Sequence, residues 1–129
     1  MTTCRLIKDV TENFNGLAGF YELSDTHWYI EYVKTPDGEI TEVLASTDHV
    51  ILSSMRMKDI LLDEYLTSGT INFSETMVWA ATPSGEVDGD WKEIFGMRGD
   101  SDIAPSHKEV IEAMGFIPVN PLETFFGVL

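Results

Sequence analysis

The run His27-Trp28-Tyr29-Ile30-Glu31-Tyr32-Val33-Lys34 leads through Thr35-Pro36-Asp37-Gly38-Glu39 into a second run ending near Ala45, and it decides the fold class. Aromatic and β-branched side chains dominate the first run, and they suit the pleated, half-buried surface of a strand. Proline presets φ at the second position of a turn, aspartate tolerates the third, and glycine accepts the fourth. Residues 27–45 therefore read as a β-hairpin, with Trp28 directed into the core.

The same device recurs. Residues 75–81 run into Thr82-Pro83-Ser84-Gly85-Glu86 and then Val87, which reads as a second hairpin. The flanks of the two turns differ, so turn chemistry rather than internal duplication explains the repeat. Outward from these hairpins, residues 14–23 read as a glycine-interrupted strand and His49–Ser54 as a short one. Two helices are expected. In 55–66, Met57, Ile60, Leu61 and Tyr65 fall on one helical face. In 106–114, Ser106 and Glu109 form a capping box, Gly115 suits the C-terminal cap, and His107, Val110, Ile111 and Met114 share the inward stripe. The expectation is α+β: one domain over 1–129, a mostly antiparallel sheet with hairpins and two short helices packed on it.

The chain has 129 residues, 8 basic and 22 acidic side chains, and a net charge of −14. That length suits a single domain. The charge argues against direct nucleic-acid binding, which needs clustered Lys and Arg, and against anionic membrane surfaces. No run approaches the ~20 apolar residues of a membrane span, and no secretory signal pattern opens the chain. With 14 aromatic residues and regular apolar segments, the chain reads as folded despite its charge. A folded body under self-repulsion gains stability as salt is added. The lone Cys4 forms no internal disulfide and reads as an inert structural or frayed-terminus thiol. A cytoplasmic location is the default.

Catalytic motifs are wanting. There is no Gly-x-Ser-x-Gly elbow, phosphate-binding glycine loop or dinucleotide fingerprint. His27, His49 and His107 are too far apart in sequence for a local metal motif, and His107 reads as a packed, hydrogen-bonded core histidine. The densest acidic stretch, 86–102, fails the EF-hand pattern: counted from Asp88, the positions requiring Gly and Glu hold Glu93 and Gly99. No cofactor and no metal are expected. Trp91 stands among Asp88, Asp90, Lys92 and Glu93. It reads either as an exposed contact rimmed by carboxylates or as an anchor tucked onto the sheet, which Ile94 and Phe95 favour.

A longer pattern links these pieces. Glu75-Thr76-Met77-Val78-Trp79-Ala80-Ala81 leads through Gly85-Glu86-Val87 to Asp90-Trp91-Lys92-Glu93-Ile94. Gly96, Arg98-Gly99 and a helix from His107 to Ala113, ending in Met114-Gly115-Phe116, complete it. This resembles small proteins of unassigned function encoded by tailed bacteriophages. Here Ser106 replaces an Asp before the histidine, and extra residues intrude at 101–105. The resemblance covers about 75–116, with a weaker echo at His49–Ser54, and implies a phage origin but no particular activity.

Charge is uneven. Residues 1–58 hold 9 acids and 5 bases; residues 59–129 hold 13 and 3. The expectation is a non-enzymatic acidic protein that presents a nucleic-acid-like negative surface to a basic, nucleic-acid-binding host protein or defence complex. The expected contact residues are Asp88, Asp90, Trp91, Glu93, Asp100 and Asp102, with Asp59, Asp63 and Glu64 as a second patch. One alternative is a phage assembly protein that forms homo-oligomers, a dimer among them, or docks through Phe125, Phe126, Val128 and Leu129. Another is a small enzyme or small-molecule sequestering protein.

Overall fold

Both Thr-Pro-x-Gly-Glu segments of this computed structural model form the same turn. Gly38 N–H donates to the Thr35 carbonyl at 2.9 Å and Gly85 N–H to that of Thr82 at 3.0 Å. In each, the threonine hydroxyl also accepts from the N–H of the closing glutamate, Glu39 or Glu86. Gly38 and Gly85 take φ of 85° and 92°, the left-handed region that an L side chain resists.

The structure describes residues 2–14, 16–58, 72–89, 91, 93–99 and 103–119. Its elements in chain order are β1 (Thr3–Asp9), a 3-10 turn (Thr11–Asn13), β2 (Ala18–Lys34), β3 (Ile40–Lys58), β4 (Asn72–Ala80), β5 (Glu93–Arg98), α1 (His107–Ala113) and β6 (Ile117–Val119). The strands make one sheet in the order β5-β4-β3-β2-β1-β6. Every pairing is antiparallel except β1 with β6.

The middle of the sheet is buried on both faces. One face carries Tyr21, Leu23, Val50, Leu52 and Val78 against Val110 and Ile111 of α1 and Phe116 beyond it. The other carries Phe20, Ile51 and Ala81, covered by Val10, Phe14 and Val87. Burial on both faces accounts for the unbroken apolar run Val50-Ile51-Leu52. Each such side chain contributes roughly 1.5–3 kcal/mol. Helix α1 begins with the expected capping box, Ser106 Oγ accepting from Glu109 N–H, and ends before Gly115 in the left-handed conformation.

Several expectations are corrected. The described residues contain one α-helix rather than two. Met55–Lys58, the start of the expected first helix, continue β3, with Met57 and Lys58 opposite Phe73 and Asn72; residues 59–66 lie outside the described residues. Strand pairing outweighs a helical stripe of only four apolar positions. The runs at 39–45 and 49–54 are one strand, not two. Strand β2 starts at Ala18 rather than at 14, and Gly16 before it crosses so close to the Ser54 carbonyl that a Cβ there would collide with it. The second hairpin closes only at a bridge between Ala81 and Val87; β5 resumes pairing at Glu93. Cys4 sits buried inside β1 opposite Leu23, not at a frayed end, and burial pushes its thiol up to about 12.

Trp28 is the largest correction: it is 60% exposed. Strands β2 and β3 outrun their neighbours. β1 reaches β2 only at Gly19–Leu23, and β4 reaches β3 only at Val50–Lys58. Beyond those points, 27–34 pairs with 40–47 alone, as a two-stranded arm.

Candidate functional site

The arm is the first candidate. Period-2 alternation places Trp28, Ile30 and Tyr32 on one face, opposite Ser46, Leu44 and Glu42, with Lys34 opposite Ile40 at the tip. Tyr32 is 64% exposed, Leu44 62% and Ile40 73%. Five large apolar side chains thus share a single uncovered face. On the other face His27 meets the Phe116 ring edge-on at 6.0 Å. Residues of both faces, Tyr29, Ile30, Glu31 and Tyr32, line a cavity of about 250 Å³ with Glu93 and Ile94. Burial holds the His27 imidazole below its usual value. The register shifts between Glu22 and His27, where β2 spends Leu23–Thr26 against Asp48 of β3 alone. Charge rims the arm. Between residues 25 and 48 stand Asp25, Glu31, Asp37, Glu39, Glu42 and Asp48, against Lys34 alone.

The acidic segment is the second candidate. Asp88 is exposed and its N–H donates to the Ala80 carbonyl at 2.9 Å. Glu93 is exposed at the start of β5. Partial burial, then the neighbouring Glu75 carboxylate, raises its pKa. Both carboxylates reach over Gly96, where a side chain would run into them. Asp90, Asp100 and Asp102, and the second patch Asp59, Asp63 and Glu64, lie outside the described residues. Among the described residues no group of three or more His, Cys, Asp or Glu gathers as metal ligands.

Trp91 is both packed on the sheet and exposed. Its ring centroid lies 5.6 Å from those of Phe14 and Trp79, so it is anchored to the sheet. It is still 54% exposed. Its φ of 59° is the only left-handed non-glycine among the described residues, a conformation that costs about 1–2 kcal/mol. Trp91, Phe14, Val10, Ile51, Val87, Asn13 and Glu86 line a cavity of about 370 Å³.

A buried polar chain forms the third candidate. His107 is fully buried; the Tyr21 hydroxyl lies 2.6 Å from Nδ1 and Ser54 Oγ 3.0 Å from Nε2. Ser54 Oγ in turn lies 2.9 Å from Thr76 Oγ1, which donates to the Pro105 carbonyl at 2.5 Å. This brings a serine and a histidine to the spacing of a nucleophile and its base, which the sequence motifs did not signal. The direction of the bonds decides what the pair does. Pro105 O only accepts, so Thr76 spends its one proton there and accepts from Ser54. Ser54 then accepts from His107 Nε2–H, and Nδ1 accepts from Tyr21. His107 is thus a donor to Ser54 and does not receive its proton. Desolvation lowers the His107 pKa to about 4, against a weaker opposing effect of the Leu17 backbone, so the ring is neutral at pH 7. The chain ties α1 to β2, β3 and β4.

Against protein-family profiles, curated proteins and solved structures the chain finds no match. No family is shown. The phage-like pattern therefore rests on residues 75–116 themselves. Within it, Thr76, Val78 and His107 are core residues, while Trp91 and Glu86 line a cavity. No helix among the described residues is long and apolar enough to cross a membrane. Sequence reasoning missed Ile30, Tyr32, Ile40 and Leu44 as surface residues. The overhang that exposes them exists only in the fold, where β2 and β3 run 17 and 19 residues against 7 and 9 in β1 and β4.

Proposed function

We propose that this is a non-enzymatic binding protein, of phage origin, that occupies a basic surface on a nucleic-acid-binding protein or defence complex of the bacterial host. The observation that carries this reading is the arm, an apolar face of five large residues inside an acidic rim. Protein interfaces are commonly built that way, with an apolar centre rich in aromatic residues and a polar margin. The carboxylates steer the encounter, while Trp28, Ile30, Tyr32, Ile40 and Leu44 supply the contact. A lone two-stranded ribbon is marginal in water, so a partner that covers the exposed face also orders it. The net charge opposes a second copy in that place, since two acidic rims would face one another.

The test is a tagged pull-down from bacterial lysate with wild type and the triple variant Trp28→Ser, Ile30→Ser, Leu44→Ser, whose circular dichroism is checked first. Wild type is expected to retain one nucleic-acid-binding protein that duplex DNA or RNA displaces, and the variant to lose it. Equal capture by both would remove the arm from the contact. Recovery of only its own copies, insensitive to salt, would move the assignment to assembly.

A further inference from the structure

We propose that the cavity between the 3-10 turn and the 82–91 loop is a site for an organic cation, an alkylated ammonium or a guanidinium group. Two aromatic residues line it. Phe14 and Trp91 pack against each other in a tilted contact, centroids 5.6 Å apart and planes 57° from parallel, and form one aromatic wall. Trp79 braces Trp91 from behind with an edge contact at 77°. Val87 and Ile51 add apolar lining, and Glu86 and Asn13 bring polar groups to it. The faces of such rings attract cations, and a pocket that combines them with a carboxylate selects a charged head on an apolar body. None of the described lining residues is cationic. The protein's net charge of −14 draws such a guest and repels anions.

The backbone supports a dedicated role for Trp91. A tryptophan held at φ 59° is held against its own preference, and side chains kept in that state cluster at binding sites. The cavity of about 370 Å³ admits a head group or one long side chain. The site is lined by residues outside the arm, so it stands or falls separately from the arm-mediated contact. Two sources share the chemistry: a free small cation, and a lysine or arginine side chain presented by a protein.

The experiment is a calorimetric titration at fixed ionic strength with choline, its neutral isostere 3,3-dimethylbutanol, sodium chloride, and a blocked arginine-containing tetrapeptide. Saturable binding of choline or of the peptide is expected, with the neutral isostere weaker by about 2- to 30-fold. Choline and peptide binding alike indicate a site for free cations; peptide alone indicates a presented side chain. Trp91→Gly removes the ring while suiting the left-handed backbone, so the fold is expected to persist and binding to vanish. Glu86→Gln is expected to weaken binding about 1.5- to 5-fold, the scale of one solvent-exposed ion pair. A response equal for sodium, equal affinity for the neutral isostere, no saturation by any probe, or full binding by Trp91→Gly would each overturn the proposal.

Discussion

Strands β2 and β3 each have two halves, and the halves live differently. In the body, Tyr21, Val50 and Leu52 are sealed between α1 and the sheet's own neighbours. In the arm, Trp28, Ile30 and Leu44 are as apolar and lie on the same two strands, yet they face solvent. Backbone conformation and residue type are shared. What differs is lateral: β1 and β4 flank the first half and stop short of the second. Strand formation and burial are thus separable, the first following from local propensity and pairing, the second from what stands alongside.

Alanine in each half tests this contrast most strongly. Leu52→Ala is expected to cost about 2–5 kcal/mol, lost transfer energy plus a cavity between the sheet and α1. Ile30→Ala is expected to stay within about 0.5 kcal/mol, as exposed sites do. Urea unfolding of the two variants gives both numbers, and similar losses would mean the arm is packed in solution.

Next in size is a pH effect confined to the body. Folding holds His107 near pKa 4, below its unfolded value of about 6.5, so the folded state binds fewer protons between them. The corresponding stability is fully present above about pH 6.5 and is lost as pH falls toward 4, amounting to about 3 kcal/mol. In His107→Gln this slope should disappear, and the gap between variant and wild type should narrow as pH drops. Denaturant midpoints at pH 7.5, 6, 5 and 4 measure it; parallel lines for both proteins would show that His107 titrates as it does unfolded.

The smallest effect belongs to the sheet edge beside the arm. Glu93 has its pKa raised by partial burial and by Glu75, so its charged form is disfavoured in the folded state. Stability should rise slightly as pH falls through its titration, and Glu93→Gln should reproduce that gain at pH 7, within about 0.5 kcal/mol. Thermal midpoints at pH 7 and pH 4 check it: a variant no more stable at pH 7 would mean that neither burial nor Glu75 disfavours the Glu93 charge.

Much of this was legible in the residues. The twin turns, the capping box at Ser106 and Glu109, the inward stripe of α1 and the hairpin at 27–45 all appear where their local chemistry places them. The helix expected at 55–66 failed at its start because Met55–Lys58 find a ladder partner in β4, a long-range contact that no local period encodes. For the site, the charge and Trp91 were visible. The grouping of Trp91 with Phe14 and Glu86 was not, because those residues come from segments some seventy residues apart in the chain. Nor was the Ser54–His107 pairing, which joins β3 to α1.

By itself, then, the sequence determined where the two tight turns fall and where α1 begins and ends. Those outcomes follow from dihedral preferences and hydrogen bonds between residues a few positions apart. Only the tertiary structure decided which apolar residues are covered, which way the protons of the Tyr21–His107–Ser54–Thr76 chain point, and that Trp28 and Val50 meet opposite fates. Burial and proton direction are properties of neighbours across the sheet, and the chain acquires those neighbours only by folding.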